Sequence, residues 1–296
     1  MLFDNWEYNT VNNYDKLGRY VFSLQRCPSF KNLIKTKYYY DGQTFFNFDF
    51  EFAEDDRIDL FVRSSTAVYG HMIPPLKNTL WKGHIRMGQL AGLEIIDERL
   101  TALVAEDPRL FTYKNQKYML VHNVVNPMTM ILYNVDEEYL TIVKDPLNRS
   151  KTKNWIPYVD GDSLKFVTDI MPTRILDVKT KNLEEYNQGG TFRVSGSSRM
   201  FELDGVKTAI VHGWTTDLGQ NRFGWPHKYW NAVAQWDDMW NLRIYDAFYM
   251  ADDFSVEFST GIQIKDNKVF FGYSVLDREI CISSISIEDF KNYCLH

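Results

Sequence analysis

The chain has few cysteines and no long apolar run. Its three cysteines, Cys27, Cys281 and Cys294, are scattered and odd in number, which fits a reducing compartment and offers no metal-binding spacing. No stretch approaches the roughly 18 apolar residues of a membrane-spanning helix, and the first residues lack the basic and apolar regions of a secretion signal. These absences favour a cytoplasmic protein without a membrane span.

The chain also lacks an excess of positive charge and the common catalytic motifs. The formal net charge is −6, whereas a general nucleic-acid binder has a basic surface. The sequence contains no glycine-rich phosphate loop, no Gly-x-Ser-x-Gly elbow and no His-Glu-x-x-His helix. The acidic net charge therefore predicts no nucleic-acid partner. Since no Asp-x-Asp pair lies in a plausible loop either, we expect no metal and no other cofactor.

One hairpin pattern occurs five times along the chain. Each copy has an apolar strand, a short polar turn and a second apolar strand, and Asp-Gly or Asp-Asn turns tolerate the positive φ that tight hairpins need. The copies are residues 46–63, 106–123, 155–169, 197–212 and 259–273. Counted from Asn47, they lie 60, 48, 42 and 62 residues apart, near the roughly 40 to 50 residues of a propeller blade.

This repeat predicts an all-β fold, a five-bladed β-propeller that occupies residues 1–296 as a single domain. A two-layer β-sandwich also has many short strands, but it needs no repeat of such a long period. Apolar residues at helical spacing predict a loop helix over 80–93 and a C-terminal helix over 287–293. Residues 213–229 break strand alternation and are predicted to form a long loop.

Asp107 and Arg109 flank Pro108 just before a hairpin, an acid and a base on a rigid element. Glycosyl transfer passes through a cation-like sugar, so it needs a carboxyl group that moves a proton and side chains that bind a phosphate. Asp107 is the predicted proton-transfer group. Arg109 could hold Asp107 ionised, bind phosphate through its guanidinium fork, or only brace the loop, and an ordinary ion pair at the start of a strand also stays open.

The residues Glu106-Asp107-Pro108-Arg109 before a hairpin resemble the signature of glycoside hydrolase family 130. These proteins are five-bladed propellers that include mannoside phosphorylases and hydrolases, with related mannosyltransferases. Other segments resemble the same superfamily in the same order, so that the resemblance runs from about residue 45 to 287. They are Phe46-Asn47, residues 153–157, residues 195–198 with His212, residues 257–261 and residues 273–279.

The chain departs from the family at one place that matters for phosphate. Phosphorylases of the family bind phosphate partly through a histidine in the fourth or fifth blade, and Asn231 stands at the nearest equivalent position. The form Lys153-Asn154-Trp155 is more similar to members associated with glycosyltransferases. The resemblance therefore implies an inverting glycosyltransferase with Asp107 as general base, a nucleotide-sugar or sugar-phosphate donor and a carbohydrate acceptor.

Two alternatives stay open. One is a β-mannoside phosphorylase or hydrolase with Asp107 as general acid, and the other is a sugar-binding propeller without catalysis. Candidate ligands for anions or sugar hydroxyls lie near the same end of a repeated hairpin or in the loop beyond it: Arg63, Lys153, Arg174, His212 and Arg222. Trp214 belongs to a group of five tryptophans, some of which could stack on a sugar ring. Glu257 is expected to accept sugar hydroxyls, and Asp277 to bind backbone amides. With Arg109, the candidates are Asn47, Arg63, Lys153, Asn154, Trp155, Arg174, His212, Trp214, Arg222, Tyr229, Glu257 and Asp277.

Overall fold

A computed structural model describes residues 22–53, 57–68, 71–72, 77–86, 88–125, 129–149, 153–186, 194–216, 227–251 and 256–296. These residues are almost entirely β-structure, so the predicted all-β class is confirmed. In chain order, the strands before residue 150 are β1 Phe22–Ser23, β2 Lys31–Thr36, β3 Tyr39–Tyr40, β4 Gln43–Phe52, β5 Ile58–Ser65, β6 Ala67–Val68, β7 His71–Met72, β8 Asn78–Arg86, β9 Gln89–Ile95, β10 Ala105–Tyr113, β11 Gln116–Asn123, β12 Thr129–Asn134 and β13 Tyr139–Val143. The later strands are β14 Ile156–Asp160, β15 Ser163–Asp169, β16 Thr173–Asp177, β17 Leu183–Tyr186, β18 Ser195–Gly196, β19 Phe201–Leu203, β20 Val206–Thr216, β21 His227–Trp236, β22 Leu242–Ile244, β23 Phe248–Tyr249, β24 Glu257–Lys265, β25 Lys268–Val275 and β26 Glu279–Ser286.

Helices are short. A 3-10 turn covers Leu24–Arg26, α1 covers Glu98–Ala102, and α2 covers Ile287–Cys294, so the predicted C-terminal helix is confirmed. Helix α2 begins where the Ser286 side chain accepts a hydrogen bond from the Asp289 backbone N–H, which satisfies one of the free donors of the first turn. Within the described part of the chain, no helix is long and apolar enough to cross a membrane.

Residue contacts divide the chain into two compact units. The Asp107 unit comprises Lys31–Asn154 and Ser259–Ser284, and the His212 unit comprises Trp155–Phe258, Ile285–His296 and the described residues before Lys31. The Asp107 unit holds a five-stranded sheet in the order β3-β4-β5-β8-β9, the four-stranded sheet β10-β11-β12-β13 and most of the four-stranded sheet β2-β26-β25-β24. Consecutive antiparallel strands of this kind are the building unit of a β-propeller blade.

The His212 unit has two main sheets. One is the four-stranded sheet β14-β15-β16-β17, and the other has seven strands in the order β1-β23-β21-β20-β18, with β19 on β20 and β22 on β21. Trp236, fully buried, packs in the core of this unit and donates from Nε1 to Thr173 Oγ1 at 3.1 Å. The main sheets of the two units have four, five or seven strands. The five blades and the single domain stay predictions.

All five predicted hairpins are present, as the strand pairs β4-β5, β10-β11, β14-β15, β19-β20 and β24-β25. In three of them both turn residues have positive φ, between 49° and 77°, the conformation that two-residue hairpin turns need. These turns are Lys114-Asn115, Asp204-Gly205 and Asp266-Asn267. The polar turn residues therefore did predict the hairpins correctly.

The helix predicted over residues 80–93 is wrong, because residues 80–86 belong to β8 and residues 89–93 to β9. All eight residues of β5, Ile58–Ser65, pair with β8, and Gly88 at φ 77° lies in the turn before β9. Leu80 and Ile85 are buried in the sheet, one in each of two core clusters. Strand pairing and burial thus outweigh the local helical spacing, as tertiary contacts often do.

The loop predicted over residues 213–229 is also wrong at both ends. Strand β20 continues to Thr216 and β21 begins at His227, with Gly213 paired to Trp230. A Cβ at Gly213 would lie 2.0 Å from the Trp230 ring, so this glycine makes room for a packed indole and does not mark a loop. Residues 217–226 lie outside the described part of the chain.

Buried polar contacts connect the sheets of the Asp107 unit. The Asp49 carboxylate in β4 accepts a hydrogen bond from the backbone N–H of Leu110 in β10 at 2.7 Å. The backbone N–H of Asn47 donates to Ser274 Oγ in β25 at 2.5 Å. Because these contacts are buried, they fix β4, β10 and β25 relative to one another, and the site described next is built on these three strands.

Candidate active site

Two hairpins of the Asp107 unit carry the same irregularity at the same place. A β-bulge interrupts the ladder of β4 at Asn47 and the ladder of β10 beside Asp107. Asn47 has φ 45° and Asp107 has φ 56°, a left-handed conformation that Asn and Asp adopt more readily than most residues. A bulge re-aims a side chain, and the two bulges direct Asn47 and Asp107 at each other.

The Asp107 carboxyl group is buried and is held through one of its oxygens. Asn47 Nδ2 donates to Asp107 Oδ1 at 2.8 Å, and Arg63 Nη1 donates to the same oxygen at 3.3 Å. Within the described chain, no hydrogen bond reaches Asp107 Oδ2, although the residue is only 7% exposed. The structure thus brings together three predicted site residues and leaves one carboxyl oxygen for another partner.

The adjacent Glu106 shares the same arginine. Consecutive side chains of a regular strand point to opposite faces, but across the bulge both carboxylates contact Arg63. Arg63 Nη2 lies 2.7 Å from Glu106 Oε2, whereas Arg63 Nη1 lies 3.3 Å from Asp107 Oδ1. Burial alone would raise the pKa of Glu106, but the charge of Arg63 and the hydrogen bond of His122 lower it to about 2. Glu106 is therefore ionised at neutral pH.

Arg63 stays charged in this cluster. Burial acts to lower the pKa of Arg63, but Glu106, Asp107 and Asp277 together raise it above its usual value. Its guanidinium group also lies over the ring of Phe46, 4.8 Å from the centroid. A cation held between carboxylates and an aromatic face has a fixed orientation.

His122 and Asn78 hold Glu106, and neither was among the predicted site residues. His122 lies directly opposite Glu106 across β10 and β11, and its Nδ1 lies 3.2 Å from Glu106 Oε1. Asn78 donates to Glu106 Oε2 at 3.4 Å and accepts from Arg63 Nη2 at 3.3 Å. Counting outward from the Lys114-Asn115 turn places Asn123 opposite Glu106, and the bulge beside Asp107 shifts His122 to that position. Spacing alone therefore could not have indicated the contact.

Arg109 is fully buried and contacts the main chain of the site. Its Nη1 donates to the backbone oxygen of Asp107 at 3.1 Å, and its Nη2 donates to Asn154 Oδ1 at 3.3 Å. Burial lowers the pKa of Arg109. These contacts are those of a residue that braces the bulge, and a direct role of Arg109 or Asn154 in ligand binding stays a prediction.

Asp277 belongs to the same charge cluster. It lies at φ 51° in the turn between β25 and β26. Burial raises the pKa of its carboxyl to about 6; the charge of Arg63 opposes this shift, and the charges of Asp107 and Glu106 add to it. In the part of the chain that the structure describes, no backbone amide donates to this carboxyl, so the expected propeller-closing contact finds no support. The exposed Lys153 adds positive charge near Glu106.

A second group of predicted residues meets in the His212 unit. Ser197 Oγ lies 2.7 Å from His212 Nδ1, the Tyr229 ring stacks on the imidazole at 5.8 Å, and the Phe258 ring meets it edge-on at 4.9 Å. Asn231, opposite His212 across β20 and β21, is fully buried. Neither amide atom of Asn231 has a hydrogen-bond partner in the described chain.

The remaining predicted ligands of this unit have other contacts or none that is described. Arg174 lies 2.6 Å from Glu185 and 3.7 Å from Asp169 in its own sheet. Glu257 accepts hydrogen bonds from the backbone amides of Met250 and Ala251 at 2.7 Å and 2.6 Å, the kind of contact expected of Asp277. Trp155 is fully buried, Trp214 is 42% exposed, and Arg222 lies outside the described residues. Their roles in ligand binding stay predictions.

Comparisons with known proteins point to one group of folds. No protein-family model and no curated protein matches the chain. Among solved structures, the β-1,2-mannobiose phosphorylase of Listeria innocua matches with a TM-score of 0.62 and 11% identity, over 88% of this chain and 95% of that chain. A glycosyl hydrolase of Bacteroides ovatus matches with a TM-score of 0.61 and 11% identity, over 82% and 84%.

A third match is a protein of the GH130 family of mannoside phosphorylases, which contains glycoside hydrolases that target β-1,2 mannosidic linkages in Candida mannan. It has a TM-score of 0.58 and 10% identity, over 82% of this chain and 84% of that chain. The likeness shows that the chain has the propeller-type fold of these proteins, so the resemblance predicted from the sequence is confirmed at the level of the fold. The expected nucleotide-sugar transferase is not supported, because these neighbours are phosphorylases and hydrolases.

Proposed function

We propose that the chain is a carbohydrate-active enzyme that cleaves glycosidic bonds, a glycoside hydrolase or phosphorylase with Asp107 as general acid. Cleavage passes through a cation-like sugar, and the departing oxygen needs a proton from a carboxyl group. The proposal includes five blades and inversion at the anomeric carbon. The alternative that the sequence left open thereby replaces the transferase as the main hypothesis.

The observation that carries this proposal is the way in which Asp107 is held. A general acid must lie within hydrogen-bond reach of the substrate oxygen while its orientation is fixed by other groups. Asn47 and Arg63 fix Oδ1, and the bulge fixes the backbone at φ 56°. Such backbone strain costs about 1 to 3 kcal/mol and is concentrated at functional sites.

The proposed substrates are β-linked mannosides, with β-1,2-mannobiose as the first to test. The Listeria innocua neighbour is a phosphorylase of that disaccharide, and the GH130 neighbour belongs with hydrolases of β-1,2 mannosidic linkages. The electrostatics are compatible with a neutral sugar, because Glu106, Asp107 and Asp277 surround Arg63. A carboxylate-rich site binds sugar hydroxyls readily and repels anions.

Water is favoured over phosphate as the acceptor of the glycosyl group. Asn231 carries no charge and is fully buried, at the position where the resemblance implies a phosphate-binding histidine. Arg63 and Arg109 already contact groups of the protein. We therefore expect hydrolysis to exceed phosphorolysis.

The test is to incubate the protein with β-1,2-mannobiose with and without inorganic phosphate and to follow the products by NMR. We expect mannose without added phosphate, with the α-anomer formed first because the reaction inverts a β-linkage. Mannose 1-phosphate formed only with phosphate would identify a phosphorylase and contradict the expected acceptor. Absence of cleavage under both conditions, together with transfer from a nucleotide sugar, would overturn the proposal and restore the transferase.

A further inference from the structure

A row of contacts leads from Asp107 back to His122. Asp107 Oδ1 lies 3.3 Å from Arg63 Nη1, Arg63 Nη2 lies 2.7 Å from Glu106 Oε2, and Glu106 Oε1 lies 3.2 Å from His122 Nδ1. We propose that Glu106 and His122 are positioning residues for Asp107, acting through the single guanidinium group of Arg63. Their effect on catalysis rests on the function proposed above, whereas their effect on the Asp107 carboxyl group does not.

The first step is that Arg63 lies closer to one of its two neighbouring carboxylates than to the other. Its contact with Glu106 is 0.6 Å shorter than its contact with Asp107, 2.7 Å against 3.3 Å. Asn78 and the ring of Phe46 hold the guanidinium group on its other sides. Arg63 is therefore kept from forming the two-pronged pair with Asp107 that arginine otherwise makes with a carboxylate.

The second step is that the described polar contact of the His122 ring is with Glu106. The imidazole is 2% exposed and lies opposite Glu106 in the register of β10 and β11. Its Nε2 has no hydrogen-bond partner in the described chain, so the contact with Glu106 is the polar contact that the structure describes for this ring. Cross-strand neighbours of this kind are close enough to orient each other.

The two residues therefore act on Asp107 in opposite directions. Without the charge of Glu106, Arg63 would pair more strongly with Asp107 and one like charge would disappear, which favours the ionised form of Asp107. Without His122, Glu106 would lose a hydrogen-bond partner and would draw Arg63 further from Asp107, which disfavours the ionised form of Asp107. The other charged groups that face the cluster are Lys153, Arg109 and Asp277, and both variants keep them.

The test is a titration of the Asp107 carboxyl carbon by NMR in protein labelled at the aspartate carboxyl groups, with the signal assigned by its loss in Asp107→Asn. Glu106→Gln is expected to lower the titration midpoint by about one pH unit or more, the usual scale for one charge at this distance. His122→Phe is expected to raise it, and His122→Gln, which keeps a donor for Glu106, should leave it near the parent value. The matched control is Glu94→Gln, which removes the same charge from an exposed ion pair with Lys82.

A second readout is the pH profile of kcat/KM with β-1,2-mannobiose. Its alkaline limb should move with the Asp107 midpoint, and at pH 7 Glu106→Gln should lose about 10- to 100-fold in kcat with KM within about threefold. Shifts of the same sign in Glu106→Gln and His122→Phe, or no shift in either, would overturn the positioning role. If Glu106→Gln does not fold, the two His122 variants decide. Because the titration needs no turnover, failure of the mannobiose assay would count against the proposed function alone.

Discussion

Arg63 is the residue on which the charges of the site converge. It contacts the carboxylates of Glu106 and Asp107 directly, and its charge also acts on Asp277. Burial raises the pKa of Asp277 to about 6 against the opposing charge of Arg63, whereas the charge of Arg63 and the hydrogen bond of His122 outweigh burial at Glu106 and lower its pKa to about 2. Burial thus disfavours the charged form of Asp277, while direct contact with Arg63 favours the charged form of Glu106.

This division predicts that Asp277→Asn stabilises the protein at neutral pH. A carboxyl whose pKa is raised on folding adds stability that is fully present below its unfolded pKa, near 3.8, and is lost as the pH rises through about 6. The amide has no such loss, and Asn tolerates the positive φ of this turn as Asp does. Chemical denaturation should show a gain of about 1 to 3 kcal/mol at pH 7.5 and no gain at pH 4.

The control for this change is Asp160→Asn, at an exposed turn where Asp160 pairs with Lys165. It should leave stability nearly unchanged at both pH values, because exposed ion pairs contribute little. A loss of stability in Asp277→Asn at pH 7.5 would show that the carboxylate form is favoured there and would contradict the charge distribution described here.

At the scale of elements, the turn residues were the part of the sequence that predicted the hairpins. Asp-Gly, Asp-Asn and Lys-Asn pairs predicted hairpins because positive φ at two successive positions restricts residue choice. The β8-β9 hairpin was missed because its residues also fit a helix, and only the pairing of β8 with β5 decides between the two. The bulges at Asn47 and Asp107 could not be predicted, since a bulge depends on the register of the partner strand.

The same restriction makes the β19-β20 turn testable. Gly205 has φ 77°, and a Cβ added there would meet nothing within 4 Å. Gly205→Ala should therefore cost about 1 to 2 kcal/mol through backbone conformation alone, measured by urea denaturation. The exposed neighbour Glu202 offers the control Glu202→Ala, for which we expect a change within about 0.5 kcal/mol. Equal stability of the two variants would mean that this turn is not held in the left-handed conformation.

At the scale of the whole molecule, the sequence predicted more of the fold than of the site. The order of five short motifs indicated a family resemblance, and the structural neighbours confirm it for the fold at 10% to 11% identity. Asp107, Asn47 and Arg63 were predicted as site residues and do meet. His122 and Asn78 were missed, because their role depends on side-chain contacts across strands that composition and spacing do not specify. The nucleotide-sugar donor was inferred from single-residue differences such as Asn231, which say little about the nature of a donor.

The central claim is that Asp107 donates a proton to the departing oxygen, and Asp107→Asn tests it with two substrates. The amide keeps the shape, tolerates φ 56° and can still accept from Asn47 and Arg63, so folding and substrate affinity should be retained. Against β-1,2-mannobiose, whose leaving group needs a proton, kcat should fall by about 10²- to 10⁴-fold. Against 4-nitrophenyl β-mannoside, whose phenolate leaves without a proton, the loss should be far smaller, and Asp160→Asn should match the parent on both. Activity of Asp107→Asn within about threefold of the parent on mannobiose, or an equal loss on both substrates, would contradict the account.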